Sequence, residues 1–369
     1  MNLRKLFRAA AVFCTLDFLP QAWPQEGEEK PPENKLPFDV KALGFLDVSA
    51  HYNANNPESQ ASALRCYDAK ADSFYLNTLH AAVSLDFGKG LTAVVEADAG
   101  SDASVNKLDP DGVEELNFDV QEAYVAYALP NSPFGFKAGK FATFMGIEVI
   151  ESPDNPTITR GFLFGLAECF THLGFLATWK EGPFDATLGA VNGWDVVTDT
   201  NTGKTAVGKV SFASENRYGV TASFMVGPEQ PDDNQSIRRA ADVTGFVNLG
   251  EDLRVNLQGL WGDDEVGALS RHRVRWYGFG IQPVGSLTDA FSIGLRAEWF
   301  RDVDGARTGH IDEMEVWNVS LVPALRLTEN LTVRAEGRYD WATEDVFEDD
   351  EGGPKDCQAT LSGEVIVRF

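Results

Sequence analysis

No stretch of 18 or more apolar residues occurs in this chain, which removes helical membrane spans from consideration. Basic residues are scarce as well. The 31 Lys and Arg stand against 56 Asp and Glu, a net charge of −25, and phosphate binding needs the opposite sign, so nucleic acid is excluded as a partner. Four cysteines in 369 residues are too few for a disulfide scaffold. Signatures of catalysis and metal binding are missing too. There is no HExxH or CxxC and no nucleophile elbow, and Gly203-Lys204-Thr205 lacks the upstream glycine of a phosphate loop. Asp302-Val303-Asp304-Gly305 and Asp199 to Gly203 are too short for a calcium loop, and His51, His80 and His172 lack ligand spacing. No cofactor and no metal is implied.

What remains is a folded chain, 43% hydrophobic, with 25 Phe and 8 Trp. Its start reads as an address. Arg4, Lys5 and Arg8 precede the short apolar run Ala9 to Leu19, broken only by Asp17, and Pro20, Gln21 and Ala22 follow. A basic start, a short apolar stretch and small residues at its end predict a signal peptide over 1–24. Residues 25–43, with Glu26, Glu28, Glu29, Pro31, Pro32 and Glu33, read as a solvated linker, and 44–369 as the folded unit. Export places Cys66, Cys169 and Cys357 in an oxidising space.

From residue 44 onward the pattern has period two. Leu331, Val333, Ala335, Gly337, Tyr339 and Trp341 alternate with Thr332, Arg334, Glu336, Arg338 and Asp340, and 361–369 repeats the pattern. Such alternation means a strand with one apolar and one polar face. Sixteen segments of this kind run from 44–54 to 358–369, and only Arg160 to Ala167 has room for a helical turn. The connections alternate in length. Turns such as Gly88-Lys89 and Glu181-Gly182 interleave with eight long polar stretches: 55–72, 100–117, 146–169, 194–204, 228–237, 263–273, 301–315 and 343–357. An even number of strands with short turns at one end and long loops at the other predicts an antiparallel transmembrane β-barrel of the bacterial outer membrane. Aromatics fall at both strand ends on the apolar parity: Trp194, Trp261, Trp299, Trp317 and Trp341 at the long-loop end, and Phe87, Trp179, Phe184, Tyr218, Phe291 and Phe369 at the other. Lipid interfaces select such girdles. The terminal Phe369 is the end that barrel-assembly machinery reads.

Several stretches carry a family resemblance: Lys137 to Phe141, Gly146 to Pro153, Asn155-Pro156, Phe170 to Gly174 and Val191 to Val197. Further matches are Gly203 to Thr205, Gly227 to Gln230, Asp304 to Gly309 and Asp340-Trp341. Together they resemble the OmpL-like, β-barrel porin-2 family over roughly residues 44 to 369. The acidic Asp345 to Glu351 loop and the three later cysteines depart from its pattern. The resemblance implies an outer-membrane barrel that conducts solutes, and gives no catalytic residue and no substrate.

If apolar positions face lipid, the opposite parity faces the lumen. That predicts pore-lining Asp47, His51, Asp86, Glu96, Asp98 and Glu122 on the first four strands. On the last four it predicts Arg296, Glu298, Arg326, Arg334, Glu336, Arg338, Asp340, Glu364 and Arg368. An Arg facing hydrocarbon at mid-depth costs about 2–4 kcal/mol, which decides the assignment. Two readings follow: opposed charged walls that orient solutes, or internal ion pairs that brace the wall. The 146–169 loop carries Phe162, Leu163 and Phe164, which need burial. Folding inward as a constriction, with Glu148, Glu151, Asp154 and Arg160 at the narrowest point, would provide it; packing on the rim or between subunits is the alternative. The eight long loops carry −22 together, so the mouth is acidic and favours cations. Cys66 and Cys357 lie on the first and last long loops, which meet at the barrel seam; a disulfide there would brace the closure and leave Cys169 free, where geometry allows it.

The sequence therefore predicts a porin, a passive channel for small hydrophilic solutes, with outer-membrane lipid around it and a homo-oligomer left open. The competing readings are a non-conducting structural barrel and an outer-membrane hydrolase built on Ser49 or Ser84 beside a His.

Overall fold

The computed structural model describes residues 37–106, 117–214, 217–267, 272–310 and 312–369. The expected signal peptide and most of the expected linker lie outside the described residues. Sixteen strands form one closed antiparallel barrel. They are β1 (Asp39–Asn53), β2 (Ser73–Asp86), β3 (Leu91–Ala99), β4 (Phe118–Ala128), β5 (Phe134–Ala142), β6 (Thr171–Glu181), β7 (Phe184–Val191) and β8 (Thr205–Ser214). The second half is β9 (Tyr218–Gln230), β10 (Asp233–Leu249), β11 (Leu253–Val266), β12 (His272–Ser286), β13 (Phe291–Asp302), β14 (Met314–Arg326), β15 (Leu331–Ala342) and, after a two-rung hairpin of β16 (Phe347–Glu348) and β17 (Pro354–Lys355), β18 (Cys357–Arg368). Each strand of the wall pairs with its neighbour in the chain, and β1 pairs with β18 to close the ring. Phe369 seals the seam: its N–H and C=O exchange hydrogen bonds with Gly44, each at 2.9 Å. Its ring lies where a Cβ on Gly44 would sit.

The alternation read from sequence is the alternation of the wall. Along β15, Arg334, Glu336, Arg338 and Asp340 turn inward and are buried, while Tyr339 on the opposite parity is exposed. Trp299, Trp317 and Trp341 sit side by side on β13, β14 and β15, with the last two rings stacked 5.8 Å apart. A row of this kind is worth about 0.5–1.5 kcal/mol per ring pair beyond the area it buries.

Three boundaries move. β1 begins at Asp39, whose register partner is Asp86, so residues 39–43 belong to the wall and not to the linker. The expected loop 228–237 is mostly ladder: β9 runs to Gln230, β10 starts at Asp233 after a two-residue turn, and Asp233 takes hydrogen bonds from Gln235 N and Ser236 Oγ where the register shifts. β7 stops at Val191, so Trp194 leaves the lipid face and packs inside, edge-on to Trp276 at 6.2 Å. The helical room at Arg160 to Ala167 is taken by a π-helical turn, Leu163–Ala167, and the 100–117 loop carries a short helix, α1 (Ser101–Asn106). On β5, Lys137 and Lys140 both reach inward although three residues apart, with Gly139 between them at φ +134°. That is a backbone conformation glycine adopts without strain.

Candidate functional site

The long connection between β5 and β6 dictates the interior. Gly146, at φ +89°, turns the chain away from the wall. Pro153 starts a 3₁₀ turn over Ser152–Asp154, and the π-helical turn brings the chain back. Between them the loop lies inside the barrel. Phe162, Leu163 and Phe164 are all buried. Phe162 and Leu163 join Phe141, Met145, Trp276, Phe300, Met314 and Val316 in one apolar cluster. Burying such side chains contributes about 1.5–3 kcal/mol each, the driving force for an inward fold. Leu163 fits against β12 because Gly278 and Gly280 leave room: a Cβ on Gly278 would lie 2.0 Å from Leu163 Cδ2. Trp276 Nε1 donates to Ala167 O at 3.0 Å and fixes the returning arm.

The polar seat is built from the inward charges of the last strands. Glu336 accepts from Ile158 N, Thr159 N and Thr159 Oγ1 at 2.7, 2.9 and 2.7 Å. Arg296 donates to Glu148 Oε1 (2.8 Å), Thr157 Oγ1 (3.0 Å) and Asn318 Oδ1 (3.0 Å). Arg334 pairs with Glu364 and donates to Asn155 O and Ser152 Oγ, while Ser152 Oγ donates to Glu364. Arg338 reaches Asp340 and Arg160 O, and Glu298 accepts from Phe162 N. Arg296 is wholly buried and Arg338 nearly so. These charges point into the barrel, where they bind the loop. The reading of them as one of two opposed walls acting on solutes is corrected to that of a seat. An unpaired buried charge costs far more than a paired one, so the loop's carbonyls and carboxylates are needed to satisfy them.

Of the four loop residues expected at the constriction, Glu148 is the ion-pair partner of Arg296 and accepts from Gly161 N at 2.6 Å. Arg160 is buried, donates to Val149 O and Ile150 O, and lies 5.2 Å from the Tyr67 ring. Asp154 pairs with Arg368 at 3.0 Å near the short-turn end. Glu151 faces Glu96 and Asp98, and burial together with those carboxylates pushes its acid well above the usual range. Two more loops meet this one. Arg65 binds Asp68 (2.6 Å) and Asp340 (2.9 Å), and Tyr67 donates to Asn106 of α1 at 2.6 Å. Burial pushes Asp68 up, but Arg65 wins and holds it low; burial lifts Asp102 on α1 to about 6.

The expected acidic wall stands beside the seat and not across from it, because β1 pairs with β18 at the seam. Asp47 accepts from Asn77 at 3.1 Å, Asp98 pairs with His80 at 2.7 Å, and Glu96 lies across from Glu122, which accepts from Ala142 N. Asp86 caps the turn through Gly88 N, and Arg326 donates to Asp289 O. Both contacts lie at the short-turn rim. His51 lies within 2.8 Å of Ser49 Oγ, the pair the hydrolase reading needs, but that hydroxyl donates to Asn77. His51 Nδ1 faces Ser362, and the adjoining cavity of about 10 Å³ has room for one water. Ser84 lies opposite Lys41 and Val94 in the ladder, with no His as a register partner.

The expected Cys66–Cys357 disulfide does not form; both thiols are free. Cys66 turns inward against Gly165 of the long loop, whereas Cys357 sits in register with Trp341 on the outward parity. The sequence reading missed Trp276, Gly278 and Gly280. Two inward glycines on one strand were the available signal, since they mark a close approach.

Comparison with known proteins agrees with this architecture. The family model described as Putative beta-barrel porin-2, OmpL-like matches residues 39–369. None of the curated proteins compared matches the sequence. Among solved structures, the outer membrane channel DcaP of Acinetobacter baumannii is similar at TM-score 0.64 and 12% identity, covering 90% of this chain and 97% of that one. An anion-selective porin from Comamonas acidovorans is similar at TM-score 0.62 and 9% identity, covering 90% and 100%. OmpT of Vibrio cholerae, in a trimer form, is similar at TM-score 0.60 and 10% identity, covering 90% and 99%. At these identities the likeness is one of fold.

Proposed function

This chain belongs to the β-barrel porin-2, OmpL-like family of outer-membrane porins, and from that premise we propose that it is a passive channel for small hydrophilic solutes whose bore is set by the docked 146–169 loop. The observation that carries this reading is the seat itself. Arg296, Arg334, Glu336 and Arg338 bind loop backbone and side chains at eight or more points deep inside the barrel. Sixteen strands leave an interior too wide for wall side chains alone to fill. A loop fixed across that interior narrows it without blocking it by disorder. With the arginines held by the loop, the fields a solute meets are the acidic β1–β4 wall and the −19 carried by the seven long connections other than 146–169. Such a mouth concentrates cations within about 8 Å, a Debye length at physiological salt. The reading assigns no catalytic chemistry to the chain. The trimer form of the Vibrio cholerae neighbour supports homo-oligomeric assembly.

The test is conductance of the refolded protein in a planar bilayer under a KCl gradient. Stable steps with a reversal potential leaning toward the cation are expected. A reversal leaning toward the anion refutes the acidic filter. Silence from folded, heat-modifiable protein refutes the channel and favours the plugged structural barrel.

A further inference from the structure

The two ends of the long loop converge on one spot of the wall. Gly146 N donates to Asp242 Oδ2 on β10 at 3.1 Å, and Ile147 N donates to Gln258 Oε1 on β11 at 3.4 Å. From the other end, the Glu168 carboxylate folds back over Gly146, so close that a Cβ there would lie 2.2 Å from Glu168 Oε1. A single amide group then serves both acids: Gln258 Nε2 donates to Glu168 Oε2 at 2.8 Å and to Asp242 Oδ1 at 3.0 Å. Glu168 and Asp242 are both buried. The charged groups around the pair are mostly of like sign. Glu148 of the same loop and Glu298 of β13 face Glu168, and both are already engaged by the seat, Glu148 with Arg296 and Glu298 with Phe162 N and Asn318. On the returning arm, Arg307 spends its Nε on Leu166 O, and the neighbouring Cys169 contacts His172 of β6 at 3.5 Å.

Two carboxylates held on one amide group repel each other when both are ionised, and a proton on either one removes that repulsion. We propose that Glu168 and Asp242 form a one-proton latch that fastens the two ends of the long loop to the wall, and that losing this proton to bulk water at raised pH loosens the loop. Burial and the Asp242 carboxylate push the Glu168 acid well above its ordinary range, which agrees with a proton retained there. The sign follows from linkage: the docked loop binds more protons than the released one, so docking is favoured as pH falls. For one proton, the docked-to-released ratio falls by at most about tenfold per pH unit. This inference rests on the reading that the docked loop sets the bore.

The chain supplies a reporter for docking. A Cβ placed on Gly165 would lie 3.3 Å from Cys66 Cβ, near the spacing a disulfide needs. Gly165→Cys, in a background with Cys169 and Cys357 replaced by Ser, is oxidised across pH 5 to about 9 with and without Glu168→Gln. Taking the ratio of the two cross-linking rates cancels the thiols' own pH dependence. The latch predicts that the Glu168→Gln protein, which mimics the protonated acid, cross-links increasingly faster than its parent as pH rises. Asp242→Asn gives the same result by the other acid and serves where Glu168→Gln fails to fold. A ratio that stays flat across the range overturns the latch. Bilayer conductance separates this from the channel reading: a rising ratio with no change in step size keeps the latch and overturns the loop as the element that sets the bore. A flat ratio beside normal steps overturns the latch alone.

Discussion

Glu336→Gln removes one charge from the centre of the seat while keeping the side chain's size. Glu336 is buried and takes three hydrogen bonds from Ile158 and Thr159, with Arg296 Nη2 3.6 Å away. A glutamine offers one acceptor oxygen, and its amide turns N–H groups toward donors already present. Each hydrogen bond to a charged acceptor is worth about 1.5–3 kcal/mol net, and breaking one side of a buried ionic cluster costs about 3–5 kcal/mol. Taking the lower figure, because Arg338 and Arg296 keep Asp340 and Glu148 as partners, docking weakens by about 3 kcal/mol, or roughly a hundredfold in the docked-to-released ratio at about 1.4 kcal/mol per tenfold. Limited proteolysis of folded protein reads this directly: the variant is cut within 150–165 where the parent is protected, and its channel steps become larger and noisier. Equal protection and identical steps in the two proteins would refute the reasoning.

Other substitutions give independent checks. Gly278→Val places side-chain atoms where Leu163 sits and is expected to unseat the π-helical turn at a cost of about 1–3 kcal/mol, seen as the same new proteolytic cut. Trp276→Phe loses the bond to Ala167 O and should destabilise docking by about 1 kcal/mol, less than Glu336→Gln in the same assay. Asp102 carries a proton up to about pH 6 in the folded protein against an ordinary value of 3.8. A raised acid contributes stability at low pH that is lost as pH climbs through 6, so Asp102→Asn should flatten the change in thermal stability between pH 4 and about 7.

The wall was legible because lipid on one side and water or polar protein on the other impose period two on every strand. β15 shows this plainly: from Leu331 to Trp341 six apolar and five polar positions alternate without a fault. The signal failed where that constraint lapses. Trp194 lies past the end of β7, where parity no longer says which way a side chain turns. Lys140 stays in unbroken register with Ala123 and Leu173 and still reaches Asp119 at 2.9 Å, so parity alone does not give the reach of a long side chain. Parity turns the arginines of β13 and β15 inward, but it cannot say what an inward charge meets. Beside wall partners such as Glu364 and Asp340 they meet loop residues more than a hundred positions away in the chain. Cys66 and Cys357 sit on neighbouring loops, as inferred, yet proximity of loops does not orient thiols, and one turns in while the other keeps the outward parity.

The central claim is that the channel conducts past a loop already seated in its lumen, and one recording tests it. Protein carrying Gly165→Cys is placed in a bilayer and its steps are compared before and after oxidation to the Cys66 cross-link. The account predicts open steps whose size is unchanged by the cross-link, because the loop is already there. Steps that shrink on oxidation would show a loop that normally lies elsewhere, and an absence of steps in both states would contradict the channel itself.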